Sequence, residues 1–211
     1  MSRTNAPGAA EFLPPTHSLK AMRDAVQHCE GCELYKWATQ AVFGEGRRSA
    51  KLLMIGEQPG NEEDLQGKPF VGPSGKLLDR ALTEAGVDRK QVYVTNAVKH
   101  FKFEERGKRR LHKKPRASEV QACHPWLEAE IEAVKPTVIA CLGATAAQSI
   151  LGNDFRVTVN RGRSIDHPLA PHVVATMHPS SILRNPDSKQ RELEFDRFVQ
   201  DLRVIRQLLE S

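Results

Sequence analysis

Nowhere along its 211 residues does the chain carry an apolar run approaching the roughly 18 residues that a bilayer-crossing helix needs. A helical membrane span is therefore excluded, and no membrane partner is expected. Also missing near the N-terminus is the continuous apolar stretch of a secretory signal. The expected compartment is cytoplasmic, where thiols stay reduced. Cysteine is scarce, and Cys29, Cys32, Cys123 and Cys141 then read as ligands or buried thiols instead of a disulfide framework. Cys29-x-x-Cys32 has the spacing of a metal-binding pair. Repeats of about 20 to 50 residues are absent, and no linker splits the chain. The length suits one domain with a substantial core, expected over 17–211 behind a disordered Ala/Pro-rich tail over 1–16. Nothing demands an oligomer, so a monomer is expected.

What the chain does have is a concentrated basic stretch, KHFKFEERGKRRLHKKPR, over 99–116. Nine Lys or Arg side chains face only Glu104 and Glu105, which leaves about +7 in a chain whose formal total is +5, so the remainder sits near −2. Such a field suits a polyanion, because each base that neutralises a phosphate releases condensed counterions. A solvated loop is the competing reading. His100 and His112 lie inside the stretch.

Around it, elements alternate. Leu19, Met22 and Val26 recur at helical spacing and predict a helix over 18–28 that delivers the Cys29–Cys32 turn. Compact apolar runs predict buried strands at 51–55, 91–95, 137–142 and 173–177. Helices are expected at 76–85, stopped by Gly86; from Ser118, through a Ser118-x-x-Gln121 capping box; at 144–151; and at 188–209, with Leu193, Phe198, Leu202, Ile205 and Leu209 as its buried stripe. Pro125 is awkward inside the second of these unless regular structure starts there. Strands alternating with helices imply an α/β fold with a mainly parallel central sheet flanked by helices. Loops led by Glu57, Asn96 and His178 then share one sheet edge, where open α/β sheets place their ligands.

Five segments carry a resemblance. Gly56-Glu57-Gln58-Pro59-Gly60, Gly67-Lys68-Pro69-Phe70-Val71-Gly72-Pro73-Ser74-Gly75, Thr95-Asn96-Ala97-Val98-Lys99, Cys123-His124-Pro125-Trp126-Leu127 and His178-Pro179-Ser180-Ser181 resemble, in that order, the motifs of the iron–sulfur uracil-DNA glycosylases, over roughly 25–205. Gln58 and the inserted Lys108-Arg109-Arg110-Leu111-His112 resemble the UdgX branch, whose members cross-link to the DNA they act on. The resemblance implies a three-layer uracil-DNA glycosylase-like sandwich acting on uracil-containing DNA, single-stranded by expectation, with double-stranded DNA also admitted.

It further implies roles. Phe70 stacks on the flipped uracil, Asn96 pairs with its edge through an amide that both donates and accepts, and Gln58 holds the loop or shapes the pocket near His112. Glu57 serves the sugar, His178 hydrogen-bonds the departing base, and His112 captures the sugar carbon. Lys108, Arg109, Arg110, Ser180, Ser181 and Arg184 contact DNA. A 4Fe-4S cluster falls to Cys29, Cys32, His100 and Cys123, while Cys141, at the end of a buried strand, packs as a small hydrophobe. The rival readings are an ordinary turnover glycosylase and a non-enzymatic iron–sulfur nucleic-acid-binding module. Composition and charge by themselves favour the module, since neither shows catalysis.

Overall fold

The computed structural model describes residues 8–16 and 18–211. In chain order the elements are α1 (Leu19–Ala25), β1 (Leu52–Gly56), α2 (Asn61–Gln66), α3 (Pro73–Ala85), β2 (Val92–Asn96), β3 (Phe103–Arg106), β4 (Arg109–His112), α4 (Ala117–Val134), β5 (Val138–Leu142), α5 (Ala144–Leu151), α6 (Val157–Asn160), β6 (Ser164–His167), β7 (Ala170–Thr176), α7 (Pro179–Arg184) and α8 (Ser188–Glu210). Five strands form one sheet in the order β2-β1-β5-β7-β6. The first four run parallel, and β6 joins the edge antiparallel.

Every residue of β1, β2 and β5 is buried, which explains their continuous apolar composition: both faces of a parallel sheet are covered by helices. On one face Leu78 and Leu82 of α3 and Phe198 and Leu202 of α8 pack onto Met54, Val94, Ala140 and Val174. On the other, Leu127 and Ile131 of α4 and Ala146 and Ile150 of α5 pack onto Leu53, Ile55, Ile139 and Val173. A third apolar cluster lies outside these layers, around Met22, Val26, Phe43 and Trp126. The architecture is thus the expected three-layer α/β sandwich. Among the described residues no helix is long and apolar enough to cross a membrane.

Several local expectations give way to tertiary constraints. Residues 8–16 are not a disordered tail: Ala9–Phe12 makes one 3-10 turn, and Ala9, 1% exposed, packs in the Trp126 cluster. Residues 1–7 of that expectation lie outside the described residues. The loop after β1 contains α2, an unexpected short helix whose Glu63 accepts from the amides of Gly60 and Gly72 and so pins both ends of the segment. The α4 start is closed by Glu119, which accepts from Arg116 N at 2.6 Å, and not by Gln121. That helix runs through Pro125, losing one ladder bond while keeping Cys123, Trp126 and Leu127 buried on either side. On α8 the buried stripe is Phe195, Phe198, Val199, Leu202 and Ile205, and Leu193 is 49% exposed. These five keep the 3-4 spacing of one helical face, from which Leu193 is rotated away. β6 carries no apolar run, because two of its four residues are exposed and two only half-buried.

The basic stretch becomes a hairpin. β3 and β4 pair antiparallel, Phe103 opposite His112 and Arg106 opposite Arg109, around Gly107 at φ 57°. A positive φ of this kind is why glycine stands at the turn.

Candidate active site

Because β1, β2, β5 and β7 run parallel, the residues that follow them emerge on one edge. There Glu57, Phe70, Asn96, His112, Thr145 and His178 line a cavity of about 1020 Å³. Gly56, the last residue of β1, is paired in register with Asn96. A Cβ on Gly56 would lie 2.3 Å from Asn96 Oδ1 and 2.8 Å from Phe70 Cζ, so only glycine lets the amide and the ring converge. Phe70 itself sits at φ 57°, a left-handed backbone that costs about 1–3 kcal/mol in a non-glycine residue. Its carbonyl is locked against Gly75, where a Cβ would approach to 1.7 Å. Strain is held here to aim a ring into the cavity.

His178 stacks at 6.3 Å and 27° from the Phe70 ring. The Ser180 amide donates to His178 Nδ1 at 3.1 Å, and Ser180 Oγ lies 2.8 Å from the same nitrogen. An amide can only donate, so Nδ1 is the acceptor and the proton of the neutral ring resides on Nε2. Burial pushes this imidazole down to about 4, with the charges at Arg184 and His112 adding to the shift and Glu57 opposing it. His178 is therefore a neutral donor at physiological pH.

Glu57 receives hydrogen bonds at both oxygens. Thr145 Oγ1 donates to Oε2, and His112 Nε2 lies 3.3 Å from Oε1. Burial would raise the carboxyl, but the hydrogen bonds from His112 and Thr145, aided by the nearby imidazoles, outweigh it and hold the group below the ordinary range. It is a carboxylate at neutral pH.

Gln58 ties this loop to the hairpin. Its Oε1 accepts from Lys102 N at 3.0 Å, and its Nε2 donates to the carbonyls of Lys102 at 3.1 Å and Lys113 at 3.0 Å. One side chain thus bonds both flanks of the hairpin's base, which places His112 beside Glu57. Arg110 fastens the far side. It donates to Asp64 at 2.7 Å, Asn61 at 2.9 Å and Thr39 at 3.2 Å, and lies over the rings of Phe101 and Phe103 at 5.6 and 4.9 Å.

Asp64, with no exposed side-chain surface, thus holds the Arg110 guanidinium against the fold. Other bases of the stretch are ion-paired too, Lys99 and Lys102 within the fold and Lys113 and Arg116 at its surface. Lys99 pairs with Glu130, Lys102 and Arg116 with Glu119, and Lys113 with Glu104. Arg106, Lys108, Arg109 and Lys114 are the exposed bases outside these pairs. Ser180 and Ser181 line the cavity together with Arg184, and Ser181 Oγ donates to His178 O at 2.7 Å. Thr145, Asp64 and Glu130 were not singled out from sequence. Each acts on a partner at least 31 positions away, and no local pattern marks such a pair.

Residues 43–203 match the sequence pattern of the uracil DNA glycosylase superfamily. The chain belongs to the uracil-DNA glycosylase superfamily. It is 37% identical over 176 residues to a type-4 uracil-DNA glycosylase of Thermotoga maritima, spanning 83% of this chain and 88% of that one. A type-4 uracil-DNA glycosylase of Saccharolobus solfataricus is 34% identical over 203 residues, 92% of this chain and 88% of the relative. A type-5 uracil-DNA glycosylase of Pyrobaculum aerophilum is 28% identical over 180 residues, 78% and 76%.

In this superfamily member three of the four cysteines come together. Cys29, Cys32 and Cys123 share the buried Trp126 cluster. Trp126 Nε1 donates to Cys29 Sγ at 3.2 Å, and Lys99 N to Cys123 Sγ at 3.3 Å. Burial pushes the Cys123 thiol up to about 12; the Lys99 ammonium opposes this, and Cys32 and Cys29 add to it. Cys141 lies elsewhere, in the layer between the sheet and α4–α5. His100, buried, follows the Lys99 amide directly, and its charged neighbour is Asp64. Among the described residues no three or more His, Cys, Asp or Glu side chains are gathered closely enough to hold a metal ion. Three thiols in one apolar cluster, two accepting N–H bonds, nonetheless have the donor chemistry that iron–sulfur groups use.

The depressed His178 carries a stability consequence. Between pH 6.5 and about 4 the unfolded chain binds this proton and the folded chain does not, so stability falls as the pH drops through that window. Urea midpoints at several pH values should show the decline in the native protein and a shallower one in His178→Asn, the difference reaching at most about 3 kcal/mol at its acid end.

Proposed function

We propose that this chain releases uracil from DNA and is then joined through His112 to the sugar carbon left behind. The observation that carries the reading is the 3.3 Å approach of His112 Nε2 to Glu57 Oε1, on a hairpin whose base Gln58 clamps. A base must leave the stack to be cut, and a flipped uracil entering the cavity would meet the Phe70 face and the Asn96 amide. The N-glycosidic bond breaks with its electron pair going to the base. Nε2–H of His178 stabilises that anion, and the Glu57 carboxylate stabilises the cationic sugar. Glu57 Oε1 takes the Nε2 proton of His112, and the freed lone pair bonds C1′. In the adduct Glu57 carries the proton taken from His112 and no longer serves as a base toward water.

Lys108 and Arg109, exposed at the hairpin turn, are proposed to hold phosphates, with Ser180, Ser181 and Arg184 acting along the cavity wall. We also propose that Cys29, Cys32, His100 and Cys123 hold a 4Fe-4S cluster, which would supply iron–ligand bonds tying the N-terminal segment to both flanks of the hairpin. The shared burial of the three thiols supports this.

Incubation with a uracil-containing single-stranded oligonucleotide should give a band resistant to denaturing electrophoresis. His112→Ser should abolish it, and an adduct surviving in that variant would refute capture by His112. Multiple turnover on excess substrate would instead support the ordinary glycosylase.

Gly56→Ala should stay folded and lose uracil release by about 100-fold or more, because the added carbon displaces the base-reading pair; single-turnover release assays check this. Visible absorbance of anaerobically purified protein should be lost in Cys123→Ser and His100→Ala and retained in Cys141→Ser.

A further inference from the structure

Behind the cavity lies an ion pair with no exposed side-chain surface on either partner, Lys99 and Glu130. Hydrogen bonds surround both of its side chains. The Lys99 ammonium donates to Glu130, to Thr95 Oγ1 at 2.7 Å and to the Asn96 carbonyl at 2.7 Å. Thr95 accepts that bond, and its hydroxyl donates to Glu130 at 2.8 Å. The opposite carboxylate oxygen receives Tyr93 Oη and Gly44 N, each at 2.9 Å. The Lys99 amine thus has three partners, and both Glu130 oxygens are occupied.

A pair buried this deeply gains little net stability over apolar side chains of equal volume. What apolar residues cannot supply is a directed donor to the Asn96 carbonyl. That carbonyl needs one: β2 is the sheet edge, and past Asn96 the chain leaves the ladder, bonding β1 and its loop only through the amides of Ala97 and Val98. Lys99 is held from its other end too, by the Cys123 sulfur accepting its amide. Cys123 and Glu130 are two helical turns apart on α4, hence on one face. The helix is the rigid element against which the Asn96 backbone is set.

We propose that Lys99 and Glu130 are positioning residues for base recognition, fixing the Asn96 backbone so that its amide meets the edge of the flipped base. The proposal rests on the uracil-release reading. It makes a basic residue of the polyanion stretch, and a glutamate of a core helix, determinants of base selectivity.

Binding is measured on the full-length protein with two oligonucleotides. One carries 2′-fluoro-2′-deoxyuridine, whose glycosidic bond resists cleavage because fluorine disfavours positive charge on the sugar; the other carries a tetrahydrofuran in the same place. The ratio of the two affinities isolates recognition of the base. In Lys99→Met and Glu130→Gln the ratio should fall by about tenfold, with tetrahydrofuran affinity held within about twofold. Folding is verified by circular dichroism and thermal melting. Should a single variant fail to fold, the Lys99→Met/Glu130→Met double variant removes both charges together and should show the same fall in ratio. An unchanged ratio in a folded variant overturns the proposal, as does a parallel loss of both affinities. A native protein that releases no uracil and binds the two oligonucleotides equally overturns the uracil reading, and this proposal with it.

Discussion

Glu130 accepts hydrogen bonds from Gly44 N, Tyr93 Oη, Thr95 Oγ1 and Lys99 Nζ, and so draws the approach to β1, the strand β2 and the start of the basic stretch onto the middle of α4. A buried carboxylate left without such donors would be strongly destabilising, which makes these segments arrive together or not at all. The same helix brings Cys123 to the Lys99 amide. Thiol cluster and basic hairpin therefore meet on one element, and Asn96 of the cavity is tied to it through Lys99.

The hairpin shows how charge is turned into geometry. Left to itself, a two-stranded ribbon is marginal in water, and a strongly basic one repels itself. Here Arg110 is neutralised by buried Asp64, Lys102 by Glu119, and Gln58 bonds both flanks of the ribbon. Five of the nine bases form ion pairs, of which Lys99, Lys102 and Arg110 are held within the fold, while exposed Arg106, Lys108 and Arg109 lie at the turn. His112 inherits a fixed position opposite Phe103 and beside Glu57. Within the cavity, rigidity has the same origin: Phe70 is strained, Gly56 admits no side chain, and His178 is held in one tautomer by a backbone amide.

The layered sheet was legible because burial on both faces leaves uninterrupted apolar runs, and these appear at β1, β2, β5 and β7. Parallel direction followed from the intervening helices, and with it the gathering of Glu57, Asn96 and His178 on one edge. Half-buried β6 and the short α2 carry no such signature. Leu193 was misplaced because a stripe drawn on one helix does not show which side meets the sheet, and Ala9 because alanine and proline near a terminus look alike whether packed or free.

The order of motifs along the chain determined the superfamily, the sheet and the identity of the residues that reach its edge. Tertiary structure alone decided which charges are free and which are structural. Lys99 and Glu130 are 31 positions apart, Arg110 and Asp64 46, and Gln58 and Lys113 55. Hydrogen bonds act over about 3 Å in space, whatever the separation along the chain, so a run of bases reads as one solvated patch until folding gives each its own partner.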